Sequence, residues 1–293
     1  MATKTLSSLP LIVIVGPTAS GKTALAVRIA SLYGGEIVCA DSRTVYRGMD
    51  IGTAKPTRAE QMGVPHWGLD LVDPGERFTA FDFKRYAEKK IDEIRARNHI
   101  PFLVGGTGLY IDAVVFNYQF HPGENLENRK NLEILTIEEL HEHCNNNNIT
   151  IPENRLNKRY VIRAIEQKGI NIKRGNIPVS NTIIVGIATD TLTLRKRIEA
   201  RTEQLFDNDV VKEATMLSKK YGWDNEAMTG NIYPLIREYI ENGVDLKELK
   251  DKSVTLDWRL AKRQMTWLRR NPFIQWYSLS EAYEYITHHL ANA

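Results

Sequence analysis

The first constraint on this chain is the stretch from Leu11 to Thr23, where the run Leu11-Ile12-Val13-Ile14-Val15 passes directly into Gly16-Pro17-Thr18-Ala19-Ser20-Gly21-Lys22-Thr23. Five consecutive apolar residues, most of them β-branched, read as a strand buried on both faces of a parallel sheet. The next eight satisfy G-x-x-x-x-G-K-[ST], and Thr23 to Leu32 continues as a helix through Ala24, Leu25, Val27, Ile29 and Ala30. Strand, glycine loop and helix in that order make a phosphate-holding P-loop. The glycines let backbone amides wrap an anion, Lys22 neutralises its oxygens, and the Thr23 hydroxyl offers a ligand to Mg²⁺. Gly16, Pro17, Thr18, Ala19, Ser20, Gly21, Lys22 and Thr23 are therefore the expected phosphate-binding set.

The rest of the chain repeats the alternation. Glu36–Ala40, Pro101–Val104 and Ile183–Ala188 read as further buried strands, and Thr79–Asn98 as a helix with Phe83, Tyr86, Ala87, Ile91 and Ile94 at helical spacing. Asp41-Ser42 closes the second strand and the turn Gly105-Gly106-Thr107-Gly108 the third. Strands alternating with helices predict an α/β fold, a P-loop NTPase-like parallel sheet flanked by helices. From Asn117 to Ser180 the pattern breaks into loop-like pieces (His121-Pro122-Gly123, Asn145–Asn148, Lys173-Arg174-Gly175) around two modest helical segments. Residues 117–180 are thus expected to be a small, mainly helical insertion between two parts of one core, 1–116 and 181–293. After Asp190 the sequence predicts helix to the end.

A chain of 293 residues with 42% apolar and 26% charged residues is of ordinary globular type, and no window has the apolar length of a membrane span. MATKTLSSLP has no secretory character, and two cysteines, Cys39 and Cys144, cannot build a disulfide framework. The expectation is a cytoplasmic monomer that does not engage a membrane. The net charge of +3 says little, but its distribution is uneven: Arg155, Lys158, Arg159 and Arg163 cluster in the middle, and Arg259, Lys262, Arg263, Arg269 and Arg270 near the end.

A hydrolytic P-loop protein normally carries a second acid at the end of another strand. The third strand here runs into PFLVGGTGLY without one, and Asp41 is the carboxylate at a strand end. A motor-type ATPase or GTPase is disfavoured. Asp41 on its own reads equally well as a turn-capping carboxylate or as a base.

The ordered motifs GPTASGKT, Asp41-Ser42-Arg43-Thr44-Val45-Tyr46-Arg47-Gly48-Met49-Asp50-Ile51-Gly52-Thr53-Ala54-Lys55-Pro56, Pro65-His66, Phe81-Asp82-Phe83, Gly105–Tyr110, Arg163-Ala164-Ile165-Glu166 and Ala261–Trp267 resemble the tRNA dimethylallyltransferase family. The resemblance spans most of the chain outside the insertion. It implies transfer of a dimethylallyl group from dimethylallyl diphosphate to the exocyclic amine of the adenosine beside the tRNA anticodon, with Mg²⁺ as cofactor and the tRNA anticodon loop as partner. It implies catalytic roles for Asp41 (general base), Thr18 and Lys22, and Mg²⁺ ligation by Thr23. It also implies tRNA contact by Asp41, Ser42, Arg43, Thr44, Thr107, Arg129, Arg159, Arg163, Lys262, Arg263, Gln264, Trp267 and Arg269. The chain departs from the family pattern at Thr44, where glutamine is usual, at Thr229 and Ile232-Tyr233, and at Asp257-Trp258-Arg259-Leu260, where a Thr-Arg-rich stretch is usual; the insertion is also short.

Near the C-terminus, Val254, Trp258, Ala261, Met265 and Leu268 predict the apolar stripe of a helix, with Arg259, Arg263 and Arg270 on the other side and Trp267 beside them. Such a face suits phosphate contact with stacking, or simply solvation. His141, His143 and Cys144 read as an ordinary surface helix rather than a metal site. Two other functions remain open from sequence: a P-loop kinase or isopentenyltransferase acting on free adenine nucleotide, and a tRNA-binding homologue with weakened catalysis.

Overall fold

The structure, a computed structural model, describes residues 9–120, 126–167 and 175–292. The first eight residues, the predicted loop His121-Pro122-Gly123 and Lys173-Arg174 lie outside the described residues. The chain divides into two compact units, one of Met1–Val115 with Pro178–Ala293 and one of Phe116–Ile177.

In the larger unit the elements follow as β1 (Leu11–Val15), α1 (Lys22–Tyr33), β2 (Gly35–Ala40), α2 (Arg58–Gln61), β3 (His66–Trp67), α3 (Ala80–Ala96), β4 (Ile100–Gly105) and α4 (Gly108–Val115). In the smaller unit come α5 (Leu126–Ile134), α6 (Ile137–Asn146) and α7 (Lys158–Glu166). The larger unit resumes with β5 (Thr182–Ile187), α8 (Thr191–Asp207), α9 (Val210–Tyr221), α10 (Ile232–Asn242), α11 (Leu246–Leu268), β6 (Gln275–Tyr277) and α12 (Leu279–Ala291).

The sheet has the order β3-β2-β4-β1-β5-β6 and every pairing is parallel. β1 sits inside it, with Val13 opposite Leu103 of β4 and Ile184 of β5. Being covered on both faces, β1 can be apolar at every position, and all five of its residues are buried. One face packs on α1 and α12 through Ile12, Ile14, Ile29, Ile37, Phe102, Val104 and Ile286. A second core joins Val45, Tyr46 and Met49 to α8–α11 through Leu205, Leu217, Tyr233, Ile236 and Leu249.

The expectation of helix from Asp190 to the end fails at β6. Asn271-Pro272 cannot continue α11, and the three residues Gln275-Trp276-Tyr277 extend the sheet beside β5, Gln275 opposite Val185. Three residues are too few for periodicity to reveal a strand. The other edge strand, β3, has two residues and was equally invisible.

The smaller unit holds three helices among its described residues rather than two. Its core is Leu132, Leu140, Cys144, Ile149, Val161, Ile162 and Ile165. α6 starts at a capping box in which Thr136 and Glu139 satisfy each other's backbone amides. Cys144 belongs to this core, and His141 donates to the Arg155 carbonyl at 2.7 Å, so the His141–Cys144 stretch is packing and helix surface.

Candidate functional site

The P-loop bridges β1 and α1 with Ala19 at φ 60° and Gly21 at φ 89°. Gly21 is the residue before α1 and no side chain caps that helix, so its first amides point into the loop. A Cβ at Gly16 would come within 2.8 Å of Ser20 Oγ, which is buried and has no partner among the described residues. Lys22 Nζ donates to the Pro17 carbonyl at 3.1 Å. Burial brings its pKa down to about 8; Asp41 opposes that shift and Arg201 adds to it.

Asp41 follows β2 directly. Its Oδ1 accepts the Arg43 amide at 2.8 Å, an Asx-type turn that fixes the carboxylate at the sheet's C-terminal edge. The adjacent strand end is locked onto it. Thr107 N–H donates to the Ala40 carbonyl, the Ser42 amide donates to Thr107 Oγ1 at 3.1 Å, and a Cβ at Gly105 would strike the Ala40 oxygen at 2.0 Å. Glycine at 105 is thus a steric requirement of bringing Asp41 and Thr107 together.

Two helices close the loop from the other side. On α11, Gln264 Oε1 accepts the Thr18 amide at 2.8 Å. On α8, Arg201 donates to Thr18 Oγ1 and Arg197 to the Ser20 carbonyl at 3.1 Å. A cavity of about 440 Å³ runs between these walls, lined by Thr18, Ala19, Gly21, Lys22 and Thr23, by Asp41, Ser42, Arg43 and Thr44, by Thr107, and by Arg201, Asp257, Arg263 and Gln264. Its apolar wall is Ala24, Ile37, Cys39, Leu69 and Val104. Burial pushes the Cys39 thiol up to about 12, so it lines the wall as a neutral group.

Phosphate loop, acid, Thr107 and two of the α11 residues expected from sequence therefore meet in one space. Arg43 is braced by the Glu226 carbonyl at 2.8 Å and Thr44 is buried beneath Asp41. Lys262 and Arg269 are exposed on or beside α11 and do not line the cavity. Trp267 departs from the free stacking platform pictured on the helix wheel. Its indole N–H donates to Asp112 Oδ2 at 2.7 Å, and it lies so close to α4 that a Cβ on Gly108 would meet it at 2.1 Å. The stripe is also shifted: α11 buries Leu249, Ser253, Asp257, Ala261 and Leu268, two of them polar. In the smaller unit Arg129 pairs with Glu133 and Glu166, Arg163 pairs with Glu166, and Arg159 is exposed on α7.

The sequence reading missed Arg197 and Arg201. Their signal was an i, i+4 arginine pair just after a core strand, indistinguishable from a solvated helix face until α8 is placed beside the loop. It also missed Glu213 on α9, which accepts the amides of Asp50, Ile51 and Gly52 and the Tyr233 hydroxyl, fixing the segment after Asp41. A lone buried glutamate in a helix carries no such message in sequence.

The family described as IPP transferase matches residues 44–271, and the one described as isopentenyl transferase matches residues 9–70. The tRNA dimethylallyltransferase of Staphylococcus carnosus is 34% identical over 289 residues, covering 92% of both chains. That of Desulforudis audaxviator is 38% identical over 288 residues, covering 93% of both. Among solved structures, the full-length tRNA isopentenylpyrophosphate transferase of Bacillus halodurans aligns over 97% of both chains with 33% identity and a TM-score of 0.73.

Proposed function

The chain belongs to the IPP transferase family and is a tRNA-prenylating enzyme, and we propose that it moves a dimethylallyl group from dimethylallyl diphosphate to N6 of the adenosine 3′-adjacent to the anticodon, releasing diphosphate. The observation that carries this reading is the single cavity in which Lys22 and Thr23 face Asp41. An anion-holding loop and a carboxylate sharing one space suit attack by a neutral amine on a carbon bearing a diphosphate.

An adenine amine is a weak nucleophile because its lone pair is delocalised into the ring. As its nitrogen bonds to the allylic carbon, that carbon's bond to the diphosphate oxygen breaks and the diphosphate leaves with the electron pair. The N6 proton passes to the Asp41 carboxylate, a role typically worth 10²–10⁴-fold. Loop amides, Lys22 and Arg201 take up the charge developing on the leaving oxygens. Gln264 and Arg201 hold the Thr18 amide and hydroxyl, fixing the loop where the reacting carbon arrives. The acceptor base reaches Asp41 by leaving its stack.

Mg²⁺ fits the oxygens at this end of the cavity. The Thr23 hydroxyl lines it and would be the protein ligand, and Mg²⁺ commonly takes few protein ligands while sharing a substrate's phosphate oxygens. Bound there, it would neutralise the diphosphate as it departs. For the tRNA, the exposed Lys262 and Arg269 with Arg263 at the rim, and the exposed Arg159 of the smaller unit, are basic groups of the kind a polyanion requires, while Arg129 and Arg163 would engage it only by exchanging their pairing with Glu166.

The experiment is nucleoside mass spectrometry of tRNA incubated with the protein, dimethylallyl diphosphate and Mg²⁺. Prenylated adenosine at the anticodon-adjacent position is expected. Product formed on free AMP but not on tRNA would replace this reading with the nucleotide-modifying one.

A further inference from the structure

Asp257 is the charged residue among those that α11 buries. It lies on the buried face, only 8% exposed, at a position where the helix wheel calls for an apolar side chain. Its partner is Asn231, whose Nδ2 donates to Asp257 Oδ1 at 2.8 Å; no second hydrogen bond reaches the carboxylate among the described residues. Asn231 is itself displaced from its ordinary work. It precedes α10 at the position where asparagine normally caps a helix, yet makes no capping bond and turns to Asp257 instead. Both residues line the active cavity, and Ser253, one helical turn earlier on α11 and 1% exposed, lines it with them.

With one oxygen taken by a neutral amide and the residue lining the cavity, the other carboxylate oxygen is open to accept a hydrogen bond from whatever enters there. Its place in the cavity narrows what that is. Asp257, Leu260 and Gln264 share one face of α11 at i, i+3 and i+7. Gln264 holds the Thr18 amide, so Asp257 stands about 10 Å farther along the helix from the phosphate loop. An anionic group would be repelled there. The cavity's cationic groups Lys22, Arg43, Arg201 and Arg263 are the ones suited to the negative parts of a substrate. What remains is a neutral hydrogen-bond donor.

We propose that Asp257, held by Asn231, is a specificity-determining residue that accepts a hydrogen bond from a hydroxyl of the substrate. The hydroxyl comes either from the ribose of the acceptor adenosine or from a hydroxylated prenyl chain of the donor. The inference rests on the transferase reading above, and its test separates the two. Wild-type enzyme is assayed for transfer to an anticodon stem-loop, which reports on the reading alone. Equilibrium binding is then compared for wild type, Asp257→Asn and Asp257→Ala with two pairs of probes. One pair is the stem-loop with ribose or 2′-deoxyribose at the target adenosine. The other is dimethylallyl diphosphate and its analogue carrying a terminal hydroxyl.

Wild type should prefer the hydroxyl-bearing member of one pair by at least tenfold, and Asp257→Ala should reduce that ratio to within twofold of unity; the pair that responds identifies the source. Asp257→Asn, which keeps the shape and the link to α10, should show an intermediate ratio at an unchanged melting temperature. Wild type that discriminates in neither pair, or variants that keep its ratios while melting at lower temperature, would make Asp257–Asn231 a structural tie between α10 and α11 and overturn the proposal.

Discussion

Asp41 and Lys22 make opposite demands on one small volume. The Asp41 side chain is tethered through one oxygen to the Arg43 amide, leaving the other to take a proton from the acceptor amine. Asp41→Asn preserves that tether and removes the proton acceptor. It should lower the single-turnover rate by 10²-fold or more with donor and tRNA affinities within a few-fold of wild type. A single-turnover rate near wild type would exclude the base role. Lys22 makes a pH prediction. Burial lowers its pKa to about 8, so the free enzyme loses this cation as pH rises through that value. Donor affinity should therefore be highest below pH 8 and fall above it. In Lys22→Arg the charge persists, and the decline near pH 8 should vanish from binding isotherms measured across pH 6.5–9.5.

At the scale of elements, α11 shows both what the sequence disclosed and what it hid. The helix was legible though its buried stripe was shifted, and the strands β1, β2, β4 and β5 were legible because each is a run of five or six mostly apolar residues. β3 and β6 were not, being edge strands of two and three residues. Site residues followed the same division. The P-loop and Asp41 stand within a few residues of one another or at strand ends. Arg201, by contrast, is joined to Thr18 across 183 positions by tertiary packing. For Trp267 the wheel gave the right helix and the wrong neighbour, since α4 takes the indole. Trp267→Ala should consequently act as a packing loss of about 3 kcal/mol, lowering the melting temperature. Arg263 borders the cavity and should behave as a phosphate contact. Arg263→Ala should weaken tRNA binding and flatten the log–log salt dependence by roughly 0.7–0.9, with donor binding unchanged. An unaltered slope would leave this arginine as solvated surface.

At the scale of the molecule, β2 carries two acids with opposite duties. Asp41 lies just past its C-terminal end, where parallel α/β sheets place their ligands. Glu36 sits at the other end, its side chain 2% exposed, and binds three segments together. It accepts from Trp67 Nε1 at 2.6 Å, from Arg97 Nη2 at 2.7 Å and Nε at 3.0 Å, and from His99 Nδ1 at 2.7 Å. Burial alone would raise its pKa, but the bonds from Arg97, His99 and Trp67 outweigh it and hold the carboxyl below its ordinary 4.5. A carboxyl with a depressed folded-state pKa adds stability that is fully present above pH 4.5. That stability is lost as pH falls through the folded-state value. Urea midpoints should accordingly decline below about pH 4.5. In Glu36→Gln the decline should be shallower, because the variant has no proton to take up at this position. At pH 7 the same variant should be less stable by about 1–2 kcal/mol, since it weakens hydrogen bonds to a buried charged group while Arg97 and His99, nearly half exposed, remain solvated. Prenyl transfer by the folded variant should stay within a few-fold of wild type, since Glu36 does not line the cavity and lies on the opposite face of the strand from its neighbour Ile37, which does. Parallel pH profiles for the two proteins would show that Glu36 is not the group through which acid loosens this end of the sheet.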